Sequence, residues 1–190
     1  MSTTKTMKTT DHSRRDIVAR AISDIESGCF KLLSHSGYIQ PPPLSDEAVY
    51  VAFVSEVDGR HETGVNYPLR DADIDLILSY CTVCVLGALV LTKARLRHNT
   101  YWYDMAPTGM FAVPRATVIR LLHPEFARQE IELISHAFEV DLDTPAHACL
   151  STRPVDRAKM LGLSFDDDAD RAIGILTNLL QYGKLLPDLS

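Results

Sequence analysis

The sequence predicts an all-α protein: a single-domain orthogonal bundle of about six helices over residues 11–190, behind a flexible arm at residues 1–10. Three observations carry this expectation. Apolar residues recur at spacings of three and four along most of the chain. Capping and stop residues bracket those stretches. No two neighbouring runs form a convincing pair of alternating strands. At 190 residues, 46% hydrophobic and 23% charged, the chain is long enough to bury a core without metal or disulfide staples. The same composition excludes a disordered chain, a fibre and a coiled-coil rod.

The elements follow in order. Residues 1–10 are rich in Thr and Lys and show no periodicity, the pattern of an arm. A helix starts near Asp11 to Ser13, with Ile17, Ala21, Ile25, Cys29 and Leu32 on one face and Gly37 as its stop. Pro41, Pro42 and Pro43 make an extended spacer. Ser45 serves as the next N-cap, with Asp46 and Glu47 in the first turn, where the helix dipole favours acids. Val49, Ala52, Phe53 and Val57 have helical spacing, although Val49, Val51 and Phe53 also alternate and leave a strand as the alternative.

Asp71 opens the most apolar stretch, read as one central helix over roughly 71–97. Val83, Leu86 and Val90 lie off its main stripe, so it should be buried on nearly all sides. Gly87 should admit a close neighbour. Residues 98–113 break periodicity and are aromatic. Pro114 and Pro124 each open a helix, the second with Ala127, Ile131, Ile134 and Phe138 in a seam. A short helix covers 155–162. Ser164 to Asp167 reads as a capping-box variant before a final helix that ends at Gly183.

Charge is uneven. The net charge is −6, which excludes a non-specific polyanion binder. Residues 125–170 hold eleven acids and four bases, a net of −7. Residues 93–120 hold Lys93, Arg95, Arg97, Arg115 and Arg120 against Asp104, a net of +4. The polar start lacks the hydrophobic core of a signal peptide, and the longest apolar run, Tyr80–Leu91, is too short to span a bilayer. A cytoplasmic protein with reduced Cys29, Cys81, Cys84 and Cys149 is the expectation.

Candidate chemistry is sparse. Cys81-x-x-Cys84 has zinc or redox spacing, but no second pair completes four ligands. It also lies mid-helix on this reading, away from an exposed helix start that would stabilise a thiolate. Asp71-x-Asp73-x-Asp75 imitates a calcium loop, yet Leu76 and Thr82 stand where Gly and Glu are required. No nucleophile elbow, phosphate-cradling loop or His-Glu-x-x-His occurs. No catalytic residue, metal or cofactor is therefore expected. Asp166, Asp167, Asp168 and Asp170 exceed what a helix start needs, because like charges repel, and suit contact with a basic partner. The stretch Lys93 to Tyr103 interleaves bases with aromatics, which suits a protein interface or nucleic acid.

Cys84-Val-Leu-Gly87-Ala88, Leu133-Ile-x-x-Ala137-Phe138-Glu139 and Asp167-Asp168-x-Asp170-Arg171 are the motifs that carry a resemblance. Over residues 75–185 the chain resembles small helical phage and bacterial proteins with a Cys-x-x-Gly-Ala central helix. The resemblance transfers no catalytic residue and implies a helical cytoplasmic protein of phage or mobile-element type.

The functional expectation is a non-enzymatic protein-binding module, an accessory protein that inhibits a host defence factor through its acidic surface. The expected contacts are Asp166, Asp167, Asp168 and Asp170, with Arg97, Tyr101 and Trp102 as a second patch. Two alternatives remain: a nucleic-acid-binding regulator using residues 93–103, and a small helical enzyme with a site assembled from distant residues. No membrane contact is expected, and the oligomeric state is open.

Overall fold

The computed structural model describes residues 13–34, 37–61, 66–105, 113–140 and 153–186. The predicted arm and Cys149 lie outside them. Helix takes 65% of the described residues and strand only four, so the fold is all-α. Its elements are α1 (Arg14–Glu26), β1 (Ile39–Gln40), α2 (Glu47–His61), α3 (Asp71–Tyr80) and β2 (Thr82–Val83). They continue with α4 (Val85–Arg97), α5 (Trp102–Met105), α6 (Arg115–Leu122), α7 (Arg128–Phe138), α8 (Pro154–Gly162) and α9 (Asp168–Tyr182). These are nine helices among the described residues, rather than about six. The predicted central helix divides in two, and Trp102–Met105 adds a single turn.

The division has a tertiary cause. The Val83 N–H donates to the Lys31 carbonyl (2.9 Å), and the Val83 carbonyl accepts from the Leu33 N–H (3.1 Å). Antiparallel pairing with β1 sets Ile39 opposite Val83 and Gln40 opposite Thr82. The β-branched Thr82-Val83 step suits an extended backbone, and pairing on both sides overrides the helical periodicity around it. Cys84 then becomes the N-cap residue of α4 instead of a mid-helix residue.

Helix α4 is the axis of the core. Every residue from Val85 to Ala94 is buried, and α4 packs against α1, α6 and α7. At Gly87 a Cβ would sit 1.8 Å from the Tyr38 carbonyl oxygen, so only glycine lets the strand-bearing segment lie this close. Helix α1 packs along α9, and α7 along α8.

Arg171, fully buried in α9, joins the last three helices. Its Nε donates to the Gly162 carbonyl at the end of α8 (3.1 Å). Its Nη1 donates to the Phe138 carbonyl at the end of α7 (3.1 Å) and to the Asp168 carboxylate (3.0 Å). A guanidinium facing two helix C-termini meets the orphan carbonyls and the negative dipole ends there.

Several predicted boundaries shift. Helix α1 starts as expected, with a capping box between Ser13 and Asp16, but stops at Gly28 (φ 73°) rather than Gly37. The Gly28 and Cys29 N–H groups bond back to Ile25 and Asp24, so Cys29 and Leu32 leave the helical face. Asp46, not Ser45, caps α2 by accepting from the Val49 N–H (3.4 Å). Pro124 lies in a turn after a cis peptide bond, and α7 opens at Arg128. Asp167, not Ser164, caps α9 by accepting from the Asp170 N–H (2.8 Å).

Helix α2 stands apart from this packing. Only Phe53 and Val57 of its described side chains are buried. Phe53 meets the Tyr80 ring with 5.7 Å between centroids, and the Tyr80 hydroxyl donates to Glu56 (2.9 Å).

Candidate functional site

The two charged stretches meet each other. Lys93 is buried and donates to Glu125 and to the Leu121 carbonyl. Arg97 donates to the other oxygen of Glu125. Arg95 pairs with Asp75 (2.7 Å), Arg120 with Asp104, and Arg115 with Glu132 (3.5 Å). All five bases of 93–120 thus have a carboxylate partner, and Glu125 and Glu132 come from the acidic stretch. Burial alone would raise the Glu125 carboxyl, but the Lys93 hydrogen bond and the charges of Lys93 and Arg97 outweigh it and hold its pKa below the ordinary value.

The aromatic end of that stretch is largely interior. Trp102 is fully buried and stacks on Tyr67 (centroids 6.1 Å, 7° between planes). It is a core residue rather than an exposed contact. Arg97 is occupied by Glu125. Tyr101 alone of the second predicted patch presents a large exposed ring, and its N–H donates to Asp104 (2.9 Å).

The aspartate turn divides between structure and surface. Asp167 is the N-cap of α9. One Asp168 oxygen accepts from Arg171, and the other from the Ser34 backbone N–H (2.8 Å), tying α9 to the segment after α1. Asp166, Asp167 and Asp170 remain exposed. The calcium-like acids are likewise engaged: Asp73 is fully buried and accepts from the Arg70 N–H (2.9 Å), while Asp75 pairs with Arg95.

Cys81 caps the end of α3 and Cys84 sits at the start of α4, where a helix N-terminus lowers a thiol pKa. Burial wins here. Desolvation pushes both Cys81 and Cys84 up to about 12, against smaller lowering by Lys31 at Cys81 and by backbone N–H groups at Cys84. Both are protonated at neutral pH, so neither is a ready nucleophile.

A cleft of about 350 Å³ opens between α7, α8 and the segment after α9, with Leu133, Leu185, Leu186, Arg157 and Lys184 in its wall. Its carboxylate, Glu130, pairs with Arg14 (2.6 Å), and among the described residues of its wall there is no histidine, cysteine, serine or threonine. Among the described residues no group of three or more His, Cys, Asp or Glu gathers in a way that could hold a metal. No described helix is long and apolar enough to cross a membrane.

One surface is left without a structural explanation. Leu44 (75% exposed) stands in water just before α2, and Val51 (55% exposed) on the helix itself, where Ala48, Ala52 and Ser55 are exposed too. Ala48, Val51, Ala52 and Ser55 follow the i, i+3, i+4, i+7 spacing of a buried stripe, on the side of α2 opposite Phe53 and Val57. Helix α2 therefore has an apolar face inward and a second one outward. The sequence reading missed this surface, and its signal was there: apolar residues on every side of the helix and alternation mixed with helical spacing.

No known family, curated protein or solved structure matches this chain.

Proposed function

We propose that the protein is a non-enzymatic protein-binding module whose partner docks on the outward face of α2. One observation carries the reading: Ala48, Val51, Ala52 and Ser55 share an exposed face of α2 at helical spacing, on the side away from the buried Phe53 and Val57. Burying a side chain such as Leu44 or Val51 in an interface supplies about 1.5–3 kcal/mol each.

The acidic-surface form of this reading keeps Asp166, Asp167 and Asp170 as exposed carboxylates in the α9 turn, of which Asp167 also caps the helix. The nucleic-acid alternative loses ground because the bases of 93–120 are already paired, so phosphate would have to displace carboxylates. The narrower role, a phage-type inhibitor of a host defence factor in the bacterial cytoplasm, rests on the family resemblance alone.

Capture from a lysate of the source cells tests the proposal. The tagged protein is compared with Val51→Glu and with the double variant Asp166→Asn/Asp170→Asn, all checked for folding by circular dichroism. A partner retained by the native and aspartate-substituted proteins but lost by Val51→Glu supports the α2 face. Loss only with the aspartate variant transfers the role to the α9 turn, and equal retention by all three overturns both.

A further inference from the structure

We infer that α2 receives a basic amphipathic helix of the partner protein, an inference that rests on the binding-module reading and deepens it. Three features of α2 select this occupant. The first is the shape of the ridge. Ala48, Ala52 and Ser55 are small, so a facing helix can approach to the short end of the usual 8–10 Å range of interaxial distances, with Leu44 and Val51 as the larger knobs.

The second is the charge at the borders. Residues 44–61 hold Asp46, Glu47, Glu56 and Asp58 against a single base, Arg60. At 100° per residue, Glu47 lies to one side of the ridge and Glu56 to the other. The helix dipole accounts for Asp46 and Glu47 in the first turn, but not for Glu56 more than two turns further on. Glu56 accepts from a neutral Tyr80 hydroxyl, which leaves its charge uncompensated by that contact.

The third feature decides between a second copy of this chain and a different partner. A symmetric pairing of two α2 helices would place acidic borders against acidic borders, and like charges across an interface are costly. A helix with an apolar stripe bordered by Lys and Arg meets the same ridge with the opposite charge. It also matches the standard helix-in-groove mode, in which anchors at i, i+3, i+4 and i+7 supply affinity and rim charges supply selectivity.

Two synthetic helical peptides of about 18 residues test the inference. Both carry one Leu/Ala stripe; one is bordered by Lys and its twin by Glu. Binding to the full chain is followed by fluorescence anisotropy at low and at higher salt. The Lys peptide should bind at least tenfold tighter than its twin, and the advantage should shrink with salt. Val51→Glu should abolish binding of the Lys peptide. Glu47→Gln/Glu56→Gln should retain binding but reduce the preference for Lys; the amide oxygen introduced by Glu56→Gln can still accept from Tyr80, so the fold is kept.

Equal affinity for the twins overturns the inference, as does undiminished binding of the Lys peptide to Val51→Glu. Sedimentation velocity showing a native dimer that Val51→Glu dissociates overturns it in favour of a second copy. If capture on the α2 face succeeds while both peptides fail, this inference falls and the binding-module reading stands. If the Lys peptide binds as expected and capture fails, the binding-module reading falls for the tested lysate and the α2 charge preference stands.

Discussion

Helices α2 and α4 both carry apolar residues on opposite sides, and the fold treats them in different ways. Around α4 the chain places α1, α6 and α7, and ten consecutive residues lose contact with water. In α2, Phe53 is buried against the Tyr80 ring of α3 and Val57 is buried with it, while Leu44 before the helix and Val51 on its other side are exposed. A helix apolar on all sides is expected to be covered on all sides. In α4 the covering is intramolecular. In α2 the side with Phe53 and Val57 is covered and the side with Val51 is exposed, and the proposed partner would cover that side.

The polar residues of the two helices sharpen the contrast. Lys93 in α4 is buried and paired with Glu125, whereas Glu47 and Ser55 of α2 stand in water. The largest expected effect is therefore at Glu125. Glu125→Ala leaves Lys93 buried as an uncompensated charge, and urea unfolding should show a loss of about 3–5 kcal/mol. The carboxyl also gives a pH signature. Its folded pKa is lowered, so the unfolded chain takes up the proton first as pH falls. Stability from this group is present above the ordinary Glu value near 4.5 and is lost as pH falls from there through the lower folded value. Glu125→Gln should flatten that part of the profile.

Truncation compares the helices directly. Leu89→Ala in α4 should cost about 2–5 kcal/mol, the range for deleting a fully buried leucine side chain. Val51→Ala in α2 should stay within about 0.5 kcal/mol of the native protein, as surface changes do. Equal costs at the two sites would break the comparison.

Alkaline pH reads the covering of α4 at its first turn. The Cys81 and Cys84 thiols are held near 12, while an unfolded chain ionises near 9. Between those values the native state keeps protons that the unfolded state releases, so stability falls as pH rises. The slope is at most about 1.4 kcal/mol per pH unit for each thiol. At pH 8 a thiol reagent should label exposed Cys29 rapidly in native Cys149→Ser protein and leave Cys81 and Cys84 unmodified until unfolding. Fast labelling of all three would mean that the start of α4 is open.

The smallest effect is expected at the outward face itself: Val51→Glu should change the unfolding free energy by no more than about 0.5 kcal/mol. This near-neutrality makes it a usable variant for binding.

Much of this contrast was legible in the sequence. The off-stripe Val83, Leu86 and Val90 announced that α4 would be buried all round, and Gly87 announced the close approach that the Tyr38 carbonyl makes. The break at Cys81–Cys84 was not legible, because Thr82-Val83 turns into strand only when residues 31–33 and 38–40 arrive beside it. The charge contrast was legible as a number but not as a contact. Glu125 lies 28 and 32 positions from Arg97 and Lys93, and only the turn between α6 and α7 brings it back onto α4. Trp102 read as a contact because aromatics beside bases suit interfaces, and its stacking on Tyr67 is a long-range fact. Asp167 and Asp168 read as spare charge because sequence shows neither the N-cap geometry nor the Ser34 backbone across the fold.

The central claim is that α2 is covered by another molecule. The most direct measurement places a photo-crosslinking amino acid at position 51 in the native chain, with position 19 on the exposed side of α1 as control. Irradiation in a source-cell lysate should give a discrete adduct from position 51 and none from position 19. No adduct from position 51, or the same adducts from both, would contradict the account.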